Sequence, residues 1–386
     1  MRRVYLDNAA STPVSDEVLD AMLPYFNEKF GNASSLYLRG REAAEAMEKA
    51  REQVANAIDA DTKEIYFTSG GTESDNIAII GTAHALRDKG NHIITSGIEH
   101  AAVIEPCEHL KREGFDVTYL PVDRDGIVDV DALNEAIRPG TILISVMHIN
   151  NEIGTIQPIE EIGRIAADKD IVFHTDAIQS LGKVEVNVDK LGVDLLSLSG
   201  HKVHGPKGIG SLFIRKGTRV KAIEYGGGQE RGIRSGTENV SGAVGMGQAC
   251  EAAVRDLQPN AVHMARLRDK LLDGIMKQEY VRLNGSRRKR SPNNVNVSFS
   301  FIEGESLVLM LDMNGVEVST GSACSSKDLQ PSHVLLAMGL SPEQAHGSLR
   351  FSNSEYNTEE DIDHVLEVLP GITDRLMAMS PLYRSH

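Results

Sequence analysis

Short apolar runs alternate with longer amphipathic segments through most of the first 215 residues of this chain. Strands that are joined through helices need crossover connections, so this alternation favours a mainly parallel sheet covered by helices. In such a sheet, ligands bind at the carboxyl ends of the strands. The predicted strands are 64–68, 92–95, 117–122, 142–147, 171–175, 195–198 and 211–214. The gaps that can hold a helix are 74–85, 102–112, 131–137 and 159–167.

A different pattern begins near Asp256 and indicates a second domain. The chain closes with an amphipathic helix over 359–369, which Pro370 should end or kink because proline cannot donate a backbone hydrogen bond. The length of 386 residues is enough for two hydrophobic cores. We expect a large domain over residues 14–256 and a smaller α+β domain formed by residues 1–13 and 257–386. Within the smaller domain, the sequence predicts a helix, a strand, a helix and a Ser/Gly-rich stretch at 267–275, 295–301, 306–313 and 319–326.

The composition excludes several classes of protein. A net charge of −15 argues against binding to nucleic acid or to an acidic membrane surface. No uninterrupted apolar stretch approaches the roughly 20 residues that span a bilayer, and the polar start does not resemble a signal peptide. The three scattered cysteines are too few for a disulfide framework or a self-contained zinc site. We therefore expect a cytoplasmic protein without an intrinsic metal, a nucleic-acid partner or a membrane partner.

The segment from His174 to Gly208 is the most informative for chemistry. Asp176 ends one apolar run, and Lys202 follows the next run by a few residues. If neighbouring strands carry them, both side chains lie at the same edge of the sheet. That pair suits pyridoxal phosphate, because a lysine forms a Schiff base with it and a carboxylate keeps the pyridinium nitrogen protonated. The alternative is that Asp176 and Lys202 are two unrelated loop residues.

A turn of small residues follows the first predicted strand and opens a helix. It runs from Phe67 to Ser74 and includes Gly71 and Thr72. Small residues let backbone N–H groups approach an anion, and the start of a helix carries a favourable partial charge. The turn is therefore a candidate phosphate site, although glycine-rich turns before helices also occur without any ligand.

Further polar residues lie just past predicted strand ends. His100 could stack on a flat ring and move protons near neutral pH, or it could be an ordinary surface histidine. Residues 150–152 and Gln179 could bond to ring substituents, or they could serve only in turns. Arg350 could clamp a carboxylate with two hydrogen bonds, or form a surface salt bridge.

Two segments have the composition of functional loops. Residues 226–237, which end at Thr237, are flexible, polar and cationic, and such a loop suits an anion site, although a plain mobile loop has the same composition. Cys324 is set among small polar residues, so we expect it to be exposed, mobile and reactive. Cys107 and Cys250 fall in helical patterns, and we expect them to be inert.

Taken together, these motifs resemble the cysteine desulfurases of the NifS/IscS type, which are fold-type-I enzymes that use pyridoxal phosphate. The resemblance covers nearly the whole chain, with eight motifs in the family's order. Three departures are Tyr37 and His204, where relatives have His and Tyr, and a short C-terminus after Leu382. The matching motifs begin at Tyr5, Gly71, Glu99, Asn150, His174, Ser199, Arg234 and Gly321.

The resemblance implies an α/β fold with a large, mainly parallel-sheet domain sandwiched by helices and a smaller α+β domain. It implies that Lys202 binds pyridoxal phosphate covalently, that Asp176 faces the pyridine nitrogen and that Gln179 faces the ring hydroxyl. His100 would stack on the ring and carry protons. Asn151 and Arg350 would orient the substrate, with Asn151 also beside the cofactor. The phosphate would be held by Gly71, Thr72, Ser199 and His201, with Thr237 reaching in from the other subunit of a homodimer.

The implied reaction converts L-cysteine to L-alanine and leaves the sulfur as a persulfide on Cys324. The implied acceptor is an iron–sulfur scaffold protein, whose cluster Cys324 could contact. Two alternatives keep the cofactor residues, namely a selenocysteine lyase and an aminotransferase, for which Cys324 would be dispensable. A non-catalytic sulfur-assembly scaffold would need a broken cofactor site, whereas Lys202, Asp176 and His100 are all present.

Overall fold

The computed structural model describes residues 2–320, 330–381 and 383. Its strands are β1 (Val4–Tyr5), β2 (Ile65–Thr68), β3 (His92–Ser96), β4 (Asp116–Leu120), β5 (Thr141–Ser145), β6 (Val172–Asp176), β7 (Leu195–Ser199), β8 (Gly210–Ile214), β9 (Val281–Leu283), β10 (Asn294–Phe299), β11 (Val316–Glu317) and β12 (Ser348–Ser352). All seven strands that the sequence predicts within the first 215 residues are present, each within a residue or two of its expected bounds.

The α-helices are α1 (Asp16–Met22), α2 (Pro24–Asn27), α3 (Leu38–Ala57), α4 (Gly71–Asn76), α5 (Thr82–Ala85), α6 (Ala101–Arg112), α7 (Val130–Ala136), α8 (Ile159–Asp168), α9 (Val188–Leu191), α10 (Val240–Arg255), α11 (Leu257–Ile275), α12 (Gly304–Met313), α13 (His333–Ala337), α14 (Pro342–His346) and α15 (Glu359–Met379). A π-helical turn, Ile77–Gly81, joins α4 to α5. A short 3₁₀ turn, Gly200–Lys202, follows β7.

Seven strands form the large sheet, in the order β2-β8-β7-β6-β5-β3-β4. The pairs from β7 to β4 are parallel, whereas β8 runs antiparallel to both β7 and β2. Strand β8 reverses because the connection from β7 is too short for a helical crossover. The prediction of a mainly parallel sheet is therefore confirmed.

The large sheet is covered on both faces, which explains its apolar composition. Strands β3, β7 and β8 are buried along their whole length, as expected of strands that helices cover on both sides. Helices α3 and α10 pack against each other through small and medium-sized residues, among them Ala50, Val54 and Met246. This packing fixes the layer of helices that lies behind the carboxyl end of β7.

The last third of the chain builds a second core. A three-stranded antiparallel sheet, β12-β10-β9, packs with α11, α12 and α15. Val4 and Leu6, from the start of the chain, are fully buried in this core, and β1 pairs in parallel with β11. On this packing we propose the two domains expected from the sequence, 14–256 and 1–13 with 257–386.

Of the two outcomes expected at Pro370, an end of the helix is not seen, because α15 runs through the proline to Met379. A proline removes only its own N–H from the helix, and burial of the following turn outweighs that loss here. Ile372 and Thr373 are both buried beyond the proline. The Thr373 hydroxyl also lies 2.8 Å from Gln278 Oε1 and 2.9 Å from the Pro370 carbonyl oxygen.

The contact between α3 and α10 yields a test of packing. A Cβ built on Gly247 of α10 would lie 2.8 Å from Ala50 Cα in α3, so a side chain there forces the helices apart. We expect Gly247→Ala to lower the free energy of unfolding by about 1–3 kcal/mol, as overpacking does. Gly371 in α15 is the matched control, since nothing lies within 4 Å of its added Cβ.

We expect Gly371→Ala to raise the free energy of unfolding by about 0.5–1 kcal/mol, because alanine loses less conformational entropy in a helix. Urea unfolding followed by circular dichroism measures both values. Equal midpoints for Gly247→Ala and wild type would contradict the close packing of the two helices.

Candidate active site

A cavity of about 310 Å³ opens where the parallel strands end, at their carboxyl ends. Loops after β3, β5, β6 and β7 surround it, and β12 of the small sheet contributes one side chain. Ten of the predicted site residues line this cavity: Gly71, Thr72, His100, Asn151, Asp176, Gln179, Ser199, His201, Lys202 and Arg350. Its wall is completed by Ala9, Ala10, Met147 and Ile178. Segments far apart in the chain therefore meet at one edge of the sheet.

Asp176 lies in this cavity because it is the last residue of β6, in register with Ser197 of the neighbouring β7. Its Oδ1 accepts a hydrogen bond of 2.9 Å from the N–H of Ile178, which fixes the carboxyl group. Burial raises the pKa of Asp176, although the Ile178 N–H and the nearby His100 and Lys202 oppose that shift. A buried carboxylate in this position would be stabilised by a cationic partner.

Lys202 enters the cavity from the turn that follows β7. Its Nζ donates to the carbonyl oxygens of Ala9 and Ala10, at 2.5 and 2.8 Å. Gln179 also donates to the Ala9 oxygen, at 3.0 Å. The N-terminal segment thus supplies part of the wall, and the primary amine of Lys202 lines the same cavity as Asp176.

The turn that begins at Gly71 brings backbone rather than side chains to the cavity. A Cβ on Gly71 would lie 2.0 Å from Ile178 Cδ1, so Ile178 packs directly against this turn and only glycine fits there. Ser199 and His201 line the same end of the cavity. Burial lowers the pKa of His201 to about 4, helped by Lys202, so this imidazole is neutral at pH 7.

His100 caps the first turn of α6, where its Nδ1 accepts from the N–H of Ala102 at 3.1 Å. The bond fixes the orientation of the ring that lines the cavity. The preceding residue, Glu99, is fully buried, and burial raises its pKa to about 8. Glu99 accepts from the hydroxyl of Ser96 and from the N–H of Met147, at 2.5 and 3.0 Å. Glu99 therefore supports the base of the loop that carries His100.

Arg350 reaches the cavity from β12 and is only 2% exposed, so it is not a surface residue. Its Nη1 donates to the Asn151 carbonyl oxygen at 3.0 Å, and its Nη2 donates to Asp7 Oδ1 at 2.9 Å. Its Nε has no hydrogen-bond partner among the described residues. A buried guanidinium N–H without a partner is costly, so this group has a donor left for an anionic ligand.

The sequence predicts no role for Glu99, and Glu152, which was expected to bond to ring substituents, does not line the cavity. Glu152 is 5% exposed and accepts from the Ser332 hydroxyl at 2.5 Å. His333 donates to the Glu99 carbonyl oxygen at 2.9 Å, so α13 is fastened to the wall of the cavity at two points. Both acids follow apolar runs in the sequence, and that position was the available signal.

The remaining predicted residues fall elsewhere. Thr237 is exposed and is not among the residues that line the cavity. Cys324 lies outside the described residues. Cys107 in α6 and Cys250 in α10 are buried free thiols, and burial raises the pKa of each to about 12, which agrees with inert cysteines.

The residues that the structure describes are 2–320, 330–381 and 383. Among them, no group of three or more histidine, cysteine or acidic residues is arranged to hold a metal ion. No helix within those ranges is long and apolar enough to cross a membrane.

Residues 4–365 match the class-V aminotransferase family. The chain belongs to this family. Among its relatives, cysteine desulfurase IscS of Dictyoglomus turgidum is 55% identical over 98% of this chain and 97% of that protein. Cysteine desulfurase IscS of Methanosarcina thermophila is also 55% identical, over 99% of this chain and 94% of that protein.

Solved structures of similar proteins agree with the fold. A NifS-like protein, 42% identical, superposes with a TM-score of 0.92 over 97% of this chain and 100% of its own. A NifS-like protein from Rickettsia africae, 29% identical, gives a TM-score of 0.88 over 97% of this chain and 100% of its own. SspA in complex with cysteine, 39% identical, gives a TM-score of 0.81 over 92% of this chain and 99% of its own. The expected fold-type-I architecture is confirmed.

This class-V aminotransferase uses pyridoxal phosphate. The cavity fits that cofactor, because a primary amine and a buried carboxylate lie on adjacent strand ends. Gly71 and Thr72, at the start of α4, line the cavity and suit a phosphate there. The Arg350 Nε, which has no hydrogen-bond partner among the described residues, suits the carboxylate of an amino acid.

Proposed function

We propose that this chain is a cysteine desulfurase, which converts L-cysteine to L-alanine and takes up the sulfur as a persulfide on Cys324. One observation carries the proposal: Arg350, whose Nε has no hydrogen-bond partner in the described part of the chain, lines the same cavity as Lys202 and Asp176. An amino-acid substrate needs a cation for its carboxylate and an exchangeable amine for its amino group. The full-length identity to named cysteine desulfurases supports cysteine as that amino acid.

When bound, pyridoxal phosphate supplies an electron sink that stabilises negative charge at Cα of an amino acid. Lys202 would hold the cofactor covalently, and its amine would take the proton from Cα of the substrate. Asp176 would keep a proton on the pyridine nitrogen through its buried carboxylate. Gln179 would bond to the ring hydroxyl, and His100 would stack on the ring and carry protons.

The remaining cavity residues would bind the phosphate of the cofactor and the carboxylate of the substrate. Gly71, Thr72, Ser199 and His201 would hold the phosphate. Asn151 would lie beside the ring and the substrate, and its carbonyl already fixes Arg350 at 3.0 Å. Arg350 would bind the substrate carboxylate with its remaining N–H.

Sulfur transfer would follow the loss of the Cα proton. The Cys324 thiolate attacks the sulfur of the substrate, the carbon–sulfur bond breaks, and its electron pair stays on the substrate carbon. A new sulfur–sulfur bond forms, the carbon that lost the sulfur takes up a proton, and return of a proton to Cα gives alanine. The atoms balance, because cysteine and one enzyme thiol become alanine and one enzyme persulfide.

The covalent reach of the chain supports this role for Cys324. Ser319 pairs with Arg350, whose N–H donates to the Ser319 carbonyl oxygen at 2.8 Å. Cys324 follows five residues later, and an extended chain of that length spans at most about 17 Å. The thiol is thus tethered to Ser319, which pairs with a residue that lines the cavity, Arg350. The same covalent connection would allow the persulfide to reach an acceptor outside the cavity.

We further propose a homodimer that shares its active sites, with Thr237 reaching the phosphate of the other subunit. Two large apolar side chains are almost fully exposed in the single chain, Leu36 at 90% and Tyr225 at 89%. Their segments lie near each other, since Ser34 and Gly228 line one cavity. Exposed apolar surface of this kind favours burial against a second copy.

The sulfur acceptor would be an iron–sulfur scaffold protein, and the enzyme would act in the cytoplasm. A persulfide is stable only until a thiol accepts its outer sulfur, so the enzyme needs a protein or small-molecule acceptor. The free thiols of Cys107 and Cys250 suit a reducing compartment. The net charge of −15 disfavours nucleic acid and acidic membranes as partners.

The role of Cys324 decides between a desulfurase and the aminotransferase or selenocysteine lyase alternatives. We expect Cys324→Ser to bind L-cysteine and perturb the cofactor absorbance, but to release alanine at a background rate, because a serine hydroxyl is hardly ionised near pH 7. Cys107→Ser and Cys250→Ser are the controls and should turn over normally, since both thiols are buried. Alanine release is measured for all three variants.

Mass spectrometry of the wild-type protein after L-cysteine should find one additional sulfur on the peptide that contains Cys324. Alanine release by Cys324→Ser at the wild-type rate would overturn the persulfide mechanism in favour of a lyase or an aminotransferase.

Asp176 is expected to act through its charge rather than through the fold. Asp176→Asn keeps the shape and should still bind the cofactor, but turnover should fall by about a hundredfold or more, as when a preorganised electrostatic contact is removed. Asp194→Asn is the control, because Asp194 is a partly buried acid at the opposite end of the strands. Cofactor absorbance and alanine release are measured together. Normal turnover by Asp176→Asn would mean that the ring nitrogen has another partner.

The shared site is tested by subunit mixing. We expect Thr237→Ala to weaken cofactor retention by about fivefold, the net worth of one hydrogen bond, while Thr237→Ser retains it. Hybrids of Thr237→Ala and Lys202→Ala subunits should regain one intact site, since each supplies what the other lacks. Dialysis against cofactor-free buffer and light scattering give retention and mass. A fully active monomer would rule out the shared site.

A further inference from the structure

The turn that carries Lys202 has its backbone oxygens held from three directions. The Gly200 oxygen accepts from the N–H groups of Val203 and Gly205, at 3.1 and 2.9 Å, within the turn itself. The oxygen of the next residue, His201, accepts from both the N–H and the hydroxyl of Thr12, each at 3.0 Å. The third oxygen, that of Lys202, accepts from a charged side chain.

That side chain is Lys183, whose Nζ lies 2.5 Å from the Lys202 carbonyl oxygen. Burial lowers the pKa of Lys183 to about 8, so keeping an ammonium at this place has a free-energy cost. A methionine would fill similar space without that cost. The charge is therefore retained for the bond it makes, and that bond is to the backbone of Lys202.

The small domain supplies the opposite charge. Glu355 favours the charged form of Lys183 and also lies 3.3 Å from Nε2 of His204. Both glutamate and lysine line a polar cleft of about 420 Å³ behind the active site, which residues of both proposed domains enclose. The charged and titratable groups along this cleft are Asp16, Glu17, Lys183, His204, Arg255, Asp256, Glu355 and Tyr356.

The backbone just after Lys202 is strained. His204 has a φ of 61°, in the left-handed region that side chains other than glycine rarely adopt. Its N–H donates to the Thr12 hydroxyl at 2.8 Å, and its ring packs edge-on against Tyr356. Such a conformation persists only where the surroundings hold it, and it occurs most often at functional sites.

We propose that Lys183 is a positioning residue for Lys202, holding the backbone of its turn so that the Lys202 amine keeps its place in the cavity, with Glu355 of the small domain as the counter-charge. This rests on the proposed function only in naming Lys202 as the reacting amine. Lys183 lines the polar cleft but not the active-site cavity, so it would not contact the substrate. Its effect is on how long Lys202 stays in position, rather than on how tightly substrate binds.

The experiment compares Lys183→Met, which removes the donor, with Lys183→Arg, which keeps a cation. Lys190→Met is the matched control, because Lys190 is an exposed lysine paired with Glu185. In the protein without cofactor, hydrogen–deuterium exchange of the amides of Val203 and Gly205 should be about tenfold faster in Lys183→Met, as expected from losing a charge-assisted hydrogen bond. Lys183→Arg and the control should exchange like wild type.

In the cofactor-loaded enzyme, kcat for alanine release from Lys183→Met should fall about tenfold, with KM changing less than about twofold. Stopped-flow absorbance should place the loss in the displacement of Lys202 by L-cysteine. Unchanged exchange and unchanged displacement in Lys183→Met would overturn the proposal. A fall in both kcat and thermal stability with exchange faster throughout the chain would also overturn it, since that marks a general loss of structure.

Two features keep the outcome separate from the proposed function. The exchange measurement needs no substrate, so it stands even if the wild-type enzyme releases no alanine. If Lys183→Met does not fold, Glu355→Gln removes the counter-charge instead, and the same amides should exchange faster by a smaller factor. Wild-type exchange in a folded Glu355→Gln variant would then count against the link to the small domain.

Discussion

The parallel pairing of β6 with β7 is the constraint on which the site depends. It sets Asp176 beside Ser197 and brings Lys202 out of the next turn at the same edge of the sheet. A shift of one residue in either strand would turn the carboxylate to the other face, because side chains alternate along a strand. The apolar residues on both faces make such a shift costly, so the core of the sheet fixes the chemistry at its edge.

Completion of the site requires the small domain and the beginning of the chain. Arg350 comes from β12, and the carbonyls that meet Lys202 come from Ala9 and Ala10. The N–H of Ser352 donates to the Leu6 carbonyl oxygen at 2.7 Å, which ties these two contributions to each other. Relative movement of the proposed domains would therefore alter both the substrate cation and the surroundings of the lysine.

Much of this architecture was predictable from the sequence, because buried parallel strands consist of short runs of apolar residues. The strand ends in turn predicted which polar residues meet, from His100 to Lys202. The helix does not end at Pro370 because the local effect of proline is outweighed by burial of the residues that follow it. Glu99 was not predicted and Glu152 was expected at the cofactor ring, since a hydrogen bond such as that of Ser332 to Glu152 joins residues 180 positions apart.

Burial of β1 in the second core determines when the start of the chain can fold during biosynthesis. Residues 4–8 bond with residues 315–317 and 352, so the opening of the chain waits for the last fifth of the polypeptide to leave the ribosome. Contacts of such high sequence separation form late in folding. The carbonyl groups that meet Lys202 therefore take their place only in a nearly finished protein. A nascent fragment could bury its large sheet without yet possessing a competent lysine.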